Sequence, residues 1–280
     1  MNRERLTITL RDDLLARVDQ LVDGIRVRNR SHAIEVLLAK ALSTGKIKKA
    51  FILAGGEGTR MRPFTYEMPK PLIPVHGKPL VQHLIELLRK YEIRDITFSI
   101  GYLGDKIKEY FGNGSRFGVN IHYVEEKRPL GTAGPLRLVR DRFTENFFVL
   151  NGDVLANIDL VDMLQVHEES KACATIALTP VSDASRYGVA RLRGQRILEF
   201  VEKPSSNQPR SQLINAGIYV FSPKIFDYLP QKSKAMLETD VFPKLATDGK
   251  LYGYPFEGQW FDTSTYEAYE QAIKHWKPII

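Results

Sequence analysis

Cysteine is nearly absent from this sequence, and long apolar runs are missing altogether. Its 280 residues contain one cysteine, which excludes an internal disulfide framework and a cysteine-built zinc site. Cys173 lies in the apolar run ACATIAL, a setting that favours a small core residue over a reactive thiol. No apolar stretch is long enough to span a bilayer, and the N-terminus lacks the apolar core of a secretion signal. We therefore expect no membrane partner and a cytoplasmic location.

Basic residues are concentrated at the start of the chain. Residues 1–49 contain eleven Lys or Arg and six Asp or Glu, a net charge of +5, whereas the remaining 231 residues carry +2. Such asymmetry is typical of a segment that contacts a polyanion. A solvated basic surface would give the same count, so charge alone leaves both interpretations open.

The N-terminal segment has the pattern of a small dimeric module. RLTITLR alternates apolar and polar residues over 5–11, which predicts a half-buried strand. Two amphipathic helices follow, the first capped by Asp12 or Asp13 and the second by Ser31, with a linker predicted at 43–46. The inward face of the second helix is predicted at Ile34, Leu37, Leu38, Ala41 and Leu42. One strand and two helices cannot enclose a sufficient core alone, so we expect two chains to pair as a homodimer or a higher even oligomer.

This pattern resembles the ribbon-helix-helix family of dimeric repressors, and RLTITL is similar to the DNA-reading strand of its plasmid copy-number repressors. The resemblance implies that the strands of two subunits form a ribbon in the DNA major groove, while backbone amides of the second helix contact phosphate. Arg suits guanine, and Thr can donate, accept or contact a thymine methyl. The DNA-binding residues are then Arg5, Thr7, Thr9, Arg30 and Ser31. A module that only dimerises an enzyme remains the alternative.

From Lys49 onward, predicted strands and helices alternate. A buried strand is predicted at KKAFILA, and further strands are predicted at DITFSIG, VNIHYVEE and FFVLNGD. Closer-spaced strands that include antiparallel pairs are predicted at ACATIALTP, RILEFVEKP and INAGIYVFS. Helices are predicted at 78–93, 104–111, 133–141, 159–170, 237–246 and 264–276, with a last strand near 251–256. The expected fold class is α/β, a Rossmann-like mixed, mainly parallel sheet, preceded by the ribbon-helix-helix domain. We place the domains at 1–44 and 45–280.

A glycine-rich turn, AGGEGTRMRPFT, follows the first of these strands. It fails the spacing of a Walker A loop because Thr59 and Arg60 follow Gly58, and it lacks the third glycine of a dinucleotide fingerprint. Arg60 and Arg62 follow the glycines, and Lys70 lies between two prolines. Three cations beside exposed backbone amides favour a triphosphate ligand.

Two aspartates follow or end predicted strands, Asp153 in LNGDV and Asp262 in WFDTS. They could share a Mg²⁺, which favours few carboxylates together with phosphate oxygens. A strand-end aspartate is more often a turn former or a helix cap, so spacing alone leaves both roles open.

At this point the motifs resemble a known enzyme family. LAGGEGTRMRPFTYEMPKPLIPVHGKPL is similar to the signature of the sugar-1-phosphate nucleotidyltransferases, and PLGTAG, NGDV, YGVA, EKP, NAGIYVF and WFDT follow in family order over about 49–276. The resemblance implies the nucleotide-diphospho-sugar transferase fold, an NTP and a sugar 1-phosphate as substrates, and Mg²⁺ as cofactor. A sugar-1-phosphate oxygen attacks the nucleotide α-phosphorus, and because this nucleophile is already an anion, cations and positioning replace a general base.

The resemblance also assigns site residues. Catalytic roles fall to Arg60, Lys70 and Lys203. The metal is held by Asp153 and Asp262. The nucleotide is bound by Leu53, Gly55, Gly56, Gly58, Thr59, Gly131 and Thr132. The sugar is bound by Gly188, Glu202 and Asn215.

One position departs from the family pattern. The motifs also indicate the reaction more clearly than they indicate its substrates. Ser264 stands where family members commonly have glycine, and we expect it to cap the following helix. EEKRPLGTAGPL and NGDVLANIDL are more similar to mannose-1-phosphate guanylyltransferases, which favours GTP and mannose 1-phosphate over a glucose-1-phosphate uridylyl- or thymidylyltransferase. Three interpretations stay open: an enzyme dimerised by its N-terminal module, a bifunctional enzyme-repressor, and a ligand-sensing DNA-binding regulator with little catalysis.

Overall fold

The computed structural model describes residues 7–24, 27–43, 47–204 and 211–278. The chain divides into two compact units, an N-terminal unit over Met1–Thr44 and a main unit over Gly45–Ile280. Within the described ranges, no helix is both long enough and apolar enough to cross a bilayer.

The described residues of the N-terminal unit form two helices. They are α1 (Asp12–Asp19) and α2 (Arg30–Ser43). The predicted cap at Asp12 or Asp13 is wrong. Arg11 occupies the N-cap position of α1, and the two aspartates lie in the first turn of the helix. The predicted Ser31 cap of α2 is wrong. The Asn29 side-chain oxygen accepts a hydrogen bond from the His32 amide at 3.0 Å, and Ser31 already lies inside the helix.

The predicted N-terminal strand is described in part. Arg5 lies outside the described residues, and residues 7–11 form no strand within the single chain. The predicted ribbon pairs the strands of two subunits, so the structure of one chain does not test it. The backbone of Arg11 is extended (φ −67°, ψ 147°), and the side chain of Ile8 is 46% exposed.

The main unit is an α/β structure. Its strands are β1 (Lys49–Ala54), β2 (Pro74–Val75), β3 (Lys78–Pro79), β4 (Asp95–Ile100), β5 (Asn120–Glu125), β6 (Phe147–Asn151), β7 (Val154–Ala156), β8 (Ala174–Pro180), β9 (Gly188–Arg193), β10 (Arg196–Glu202), β11 (Leu213–Phe221), β12 (Leu251–Pro255) and β13 (Trp260–Asp262). Its α-helices are α3 (Phe64–Glu67), α4 (Leu80–Lys90), α5 (Gly104–Phe111), α6 (Leu160–Ser170), α7 (Phe242–Thr247) and α8 (Tyr266–His275).

Nine strands form one mixed sheet in the order β5-β4-β1-β6-β11-β8-β12-β10-β9. The section β5-β4-β1-β6 is parallel, as the alternation of strands and helices predicts. Beyond it, β11 runs antiparallel to both β6 and β8, so only four of the eight neighbouring pairs are parallel. The mixed sheet is therefore confirmed, but the description as mainly parallel holds only for the first section.

Two predicted helices differ in type from those in the structure. Residues Gly134–Arg142 form a 3₁₀-helix instead of an α-helix, with a proline in its first turn. Leu237–Val241 form a π-helical turn that leads directly into α7. The strand β9 was not predicted, since GVARLR mixes arginine with apolar residues on an edge of the sheet.

Both faces of the parallel section are covered. Along β1, Phe51 packs in one apolar cluster while Ile52 packs in another on the opposite face, because successive side chains of a strand alternate. Four positions of this strand are buried and two are half-buried, which explains its continuous apolar sequence. Cys173 is also buried, and burial raises the pKa of its thiol to about 11.

A buried histidine links α6 to the sheet and makes stability depend on pH. His167 Nδ1 lies 2.9 Å from Thr175 Oγ1, and burial lowers the pKa of His167 from 6.5 to about 4. Between these values the unfolded chain binds a proton that the folded chain does not, so stability is lost as pH falls through this window. We expect His167 to lower the free energy of unfolding by about 2 kcal/mol between pH 7.5 and 5.

Urea unfolding of wild-type protein and His167→Gln at the two pH values measures this contribution. The wild type should lose more stability than the variant on acidification, and His275→Gln, at an exposed position, should behave like the wild type. Equal pH dependence in wild type and His167→Gln would contradict the assignment.

Candidate functional site

A cavity of about 390 Å³ opens where the parallel strands end. The chain leaves β1 into the glycine turn, where Gly58 adopts a left-handed conformation (φ 61°) and Thr59–Met61 form one 3₁₀ turn. The Met61 amide donates to the Gly58 carbonyl oxygen at 2.8 Å, which closes the turn. The residues predicted to bind the nucleotide all line this first cavity: Leu53, Gly55, Gly56, Gly58, Thr59, Gly131 and Thr132.

A second cavity, of about 200 Å³, adjoins the first. It is built largely by the antiparallel part of the sheet, with contributions from β9, β10, β11 and β13. The predicted sugar and phosphate residues Gly188, Glu202, Lys203 and Asn215 line it, together with Asp262. Arg60 and Asp153 line both cavities, so the two compartments meet at a cation and a carboxylate.

The junction contains a close ion pair. Lys70 Nζ donates to Asp153 Oδ2 at 2.5 Å, and the lysine is only 7% exposed. Burial alone would raise the pKa of Asp153, but the Lys70 ammonium, joined by Arg60, outweighs it and holds that pKa below its usual value. Asp153 is therefore a carboxylate at neutral pH.

The second predicted metal ligand is placed by a short β-ribbon. β13 pairs antiparallel with β7, which sets Asp262 opposite Val154, the residue after Asp153. Thr263 Oγ1 donates to the Asp153 carbonyl oxygen at 2.8 Å and fixes the two segments together. Ser264 does not cap the next helix as predicted. Its hydroxyl donates to Asp262 Oδ2 at 2.6 Å. Thr265 caps α8 in its place, since its side chain accepts from the amide of the third helical residue.

These residues fit a magnesium ion that is completed by substrate. Asp153 and Asp262 line the same cavity, and the buried side-chain oxygen of Asn151 beside them has no hydrogen-bond partner among the described residues. Across the ranges that the structure describes, no group of three or more His, Cys, Asp and Glu side chains is placed to hold a metal by itself. Mg²⁺ is commonly bound by one or two carboxylates together with substrate phosphates, so this donor set suits it.

The EKP segment carries backbone strain at the second cavity. Lys203 adopts a left-handed conformation (φ 48°) that is uncommon for a residue with a side chain, and its amide donates to the Tyr187 carbonyl oxygen at 2.9 Å. The Lys203 ammonium lies 3.7 Å from Glu202 Oε1. Burial raises the pKa of Glu202, and the neighbouring ammonium opposes that rise. The strained turn thus presents one carboxyl group and one ammonium group to the same compartment.

Several lining residues were missed by sequence reasoning. They are Glu126, Asn151, Arg186, Tyr187, Lys234 and Glu238. Thr132 Oγ1 donates to Glu238 Oε2 at 2.6 Å and accepts from the Leu237 amide at 2.8 Å, which ties the two cavities together. Burial raises the pKa of Glu238. The only signal for this residue was an acidic pair inside the apolar segment AMLETDVF.

In the N-terminal unit, the described members of the predicted DNA-binding set lie at the surface. Thr7, Thr9 and Ser31 are exposed. The Arg30 guanidinium donates to both carboxylate oxygens of Asp19 at 2.7 Å, so this side chain joins the two helices. Its predicted role through the backbone amide is separate from that ion pair.

The chain is similar to known proteins over most of its length. The family model described as nucleotidyl transferase matches residues 49–277. A mannose-1-phosphate guanyltransferase beta-B of Xenopus laevis is 38% identical over 82% of this chain and 67% of its own length. A UTP–glucose-1-phosphate uridylyltransferase of Synechocystis is also 38% identical, over 81% of this chain and 62% of its own length. The chain therefore spans about two thirds of the length of these two relatives.

A solved structure shares the architecture. The crystal structure of a candidate glucose-1-phosphate thymidylyltransferase from Bacillus anthracis superposes with a TM-score of 0.74 at 29% identity, covering 81% of this chain and 94% of that one. Curated and solved relatives thus include guanylyl-, uridylyl- and thymidylyltransferases, which differ in the base and the sugar that their names state.

Proposed function

Because the chain belongs to the nucleotidyl transferase family, we propose that it transfers a nucleotidyl group from an NTP to a sugar 1-phosphate, giving an NDP-sugar and pyrophosphate. The observation that supports this best is the pair of adjoining cavities, one lined by the glycine turn and one by the EKP segment, which share Arg60 and Asp153. Two polyanionic substrates placed in them would meet at Arg60, the one cation among the described residues that lines both compartments.

The chain's own residues supply binding, orientation and charge. Arg60 and Lys70 offset the negative charge of the triphosphate, and Lys203 binds the phosphate of the sugar. Asp153 and Asp262 would hold Mg²⁺, which when bound adds positive charge next to the reacting phosphates. Since the attacking phosphate oxygen is already an anion, no side chain has to remove a proton, and the rate depends on in-line placement.

Within this reaction we favour GTP and mannose 1-phosphate. The similarity to guanylyltransferases and the motifs EEKRPLGTAGPL and NGDVLANIDL support that choice. A glucose-1-phosphate uridylyl- or thymidylyltransferase is the alternative, supported by the similarity to the Synechocystis relative. The residues of both cavities are intact at Arg60, Lys70, Lys203 and the two aspartates, which favours an active enzyme over a ligand-sensing regulator with little catalysis.

The test is a substrate panel. Pyrophosphate release is measured with Mg²⁺ for GTP, UTP, dTTP, CTP and ATP, each crossed with mannose-, glucose- and N-acetylglucosamine-1-phosphate. We expect turnover with one preferred pair and none without the sugar 1-phosphate. Nucleotide binding without turnover on the whole panel would contradict an enzyme and favour the regulator.

For the N-terminal unit we propose homodimerisation, with DNA as its ligand. Apolar side chains are exposed on both helices, just after α1 and on the extended segment of this unit. The exposed set is Ile8, Leu14, Leu21, Leu37 and Leu38. A second copy would cover this surface, and pairing of two extended segments would place Thr7 and Thr9 of each chain on one face.

DNA binding gives a separate prediction. The double substitution Thr7→Ala/Thr9→Ala should reduce affinity for a selected genomic fragment by about tenfold or more, because each side chain loses a contact to a base edge. Electrophoretic shifts at physiological salt measure the affinity. The control is Gln20→Ala, a substitution at the exposed residue that follows α1. No shift above nonspecific background in the wild type would leave a dimerisation module only.

A further inference from the structure

The C-terminal helix α8 is hydrogen-bonded to the turn that carries Arg60. Tyr266 is the first residue of α8, and its hydroxyl donates to the Arg62 carbonyl oxygen at 2.5 Å, with the Met61 carbonyl oxygen 3.3 Å away. The hydroxyl has one proton, so the shorter contact is the main bond. Carbonyl groups at the end of a helical turn have no donor within that turn, and here the side chain of Tyr266 supplies one.

Apolar packing holds the same turn from the inside. The Met61 side chain is 1% exposed, and it belongs to a small buried cluster to which α8 contributes Ala272 and Trp276. The ring of Tyr266 also contacts that of Phe64, with the ring centroids 5.7 Å apart. Met61 is therefore fixed under α8 through its side chain, while the residue after it is fixed through its carbonyl oxygen.

The same helix is attached to the strand that carries Asp262. β13 ends at Asp262, and the next residue, Thr263, donates to the Asp153 carbonyl oxygen before α8 begins. Phe261 of β13 packs against the small buried cluster, where its ring centroid lies 6.3 Å from that of Trp276. α8 thus contacts both the turn after the glycines and the ribbon formed by β7 and β13.

Arg60 depends on this support because its side chain is long. It lies in the middle of a single 3₁₀ turn, and its guanidinium must reach the junction of the two cavities. Supporting hydrogen bonds hold a functional group in its productive geometry. A displacement of about 1 Å can lower the rate of a reaction by about a hundredfold. The position of the turn backbone therefore sets how well the guanidinium meets a phosphate.

Resting on the proposed transfer reaction, we propose that Tyr266 is a positioning residue for Arg60. Its hydroxyl holds the end of the turn so that the guanidinium faces the phosphates that leave as pyrophosphate. Tyr266 is not among the described residues that line either cavity, so it acts through the turn and not on the substrates. The inference is independent of which base and which sugar the enzyme uses.

The test is Tyr266→Phe, which removes only the hydroxyl. We expect kcat/KM for the preferred NTP, and the affinity for inorganic pyrophosphate with Mg²⁺, to fall by about tenfold, between the effect of one neutral hydrogen bond and that of a 1 Å displacement. The KM for the sugar 1-phosphate should change by less than about twofold, because Lys203, which binds that phosphate, is not carried by the turn. Steady-state kinetics and calorimetric titration with pyrophosphate measure these effects.

Tyr269→Phe is the matched control, one turn later on the same helix. The Tyr269 hydroxyl donates to the Pro74 carbonyl oxygen at 2.6 Å, and its side chain packs against the same buried cluster. Both variants lose one hydrogen bond from α8 to a backbone carbonyl, so their melting temperatures should fall by a similar amount, about 2–4 °C. Only Tyr266→Phe should lose affinity for pyrophosphate.

A second variant shows whether the effect passes through Arg60. In Arg60→Gln the guanidinium is absent, so adding Tyr266→Phe should lower kcat/KM by less than about twofold further. Additive effects of the two substitutions, or equal losses of pyrophosphate affinity in Tyr266→Phe and Tyr269→Phe, would overturn the inference while the transfer reaction stands. Absence of turnover with every substrate pair would refute the proposed reaction. The pyrophosphate titrations would then decide alone, and equal affinity in the wild type and Tyr266→Phe would overturn the inference.

Discussion

Replacing Asp153 with asparagine should lower kcat for NDP-sugar formation by about a thousandfold or more, about 4 kcal/mol of transition-state stabilisation. Asp153 lies at the junction of the two cavities, where the bond between the substrates would form. The substitution removes a negative charge that would hold Mg²⁺, and it leaves the buried Lys70 ammonium 2.5 Å from a neutral amide. Both changes alter the charge distribution at the reacting phosphates.

The variant should still fold. Asparagine has nearly the same shape, and its side-chain oxygen can accept from Lys70, so we expect a stability loss of about 1–3 kcal/mol. Steady-state pyrophosphate release at saturating substrates gives kcat, and thermal unfolding checks the fold. Asp141→Asn, at an exposed position of the same unit, is the control and should keep wild-type activity. A kcat for Asp153→Asn within tenfold of wild type would refute the role assigned to this carboxylate.

Features that depend on neighbouring residues, or on the order of motifs along the chain, could be predicted from the sequence. The enzyme family inferred from motifs in order is confirmed by the family match over 49–277. The predicted helix over 104–111 coincides with α5, and the strands of the parallel section are found where they were predicted. These features depend on neighbouring residues, whose periodicity and glycine content are visible in the sequence.

Features that depend on distant contacts were not predictable. Glu126 lies within the motif EEKRPLGTAGPL but was assigned no role there, and Glu238 lies in no motif. Ser99 and Thr132, which are distant from them in the sequence, donate to these two carboxyl groups. Strand order is a second example. The sequence predicted antiparallel pairs among the later strands, but not that β11 lies between β6 and β8.

The predictions of helix caps at Ser31 and Ser264 were wrong for a related reason. Asn29 and Ser31 are both good caps by type, and the position of the first helical turn decides between them. Similarly, Ser264 and Thr265 are adjacent, and the serine hydroxyl is already engaged by Asp262. Residue type therefore predicts that a cap exists better than it predicts which residue forms it.

Gly131→Ala should lower kcat/KM for the nucleotide by about a hundredfold, mainly by raising KM, because the loop that borders the first cavity must move. Gly131 has a left-handed backbone (φ 80°), and an added Cβ would lie 2.3 Å from the Ala235 carbonyl oxygen and 2.8 Å from Met236 Sδ. That carbonyl oxygen already accepts from the Ala133 amide at 2.9 Å, so it cannot retreat without losing a hydrogen bond. The closer of these two contacts is with a backbone atom, so a change in the side-chain conformation of Met236 would not relieve it.

Gly194→Ala separates this clash from the cost of the backbone conformation. Gly194 is also left-handed (φ 60°), but a Cβ there would meet nothing within 4 Å. Both variants should lose about 1–2 kcal/mol for placing alanine in this conformation, and Gly131→Ala should lose about 1–3 kcal/mol more from overpacking. Urea unfolding gives the stabilities, nucleotide titration gives the affinity, and steady-state kinetics give kcat and KM. Equal losses of stability and nucleotide affinity in both variants would mean that the loop tolerates the added methyl group, and that contact with Ala235 does not position the nucleotide site.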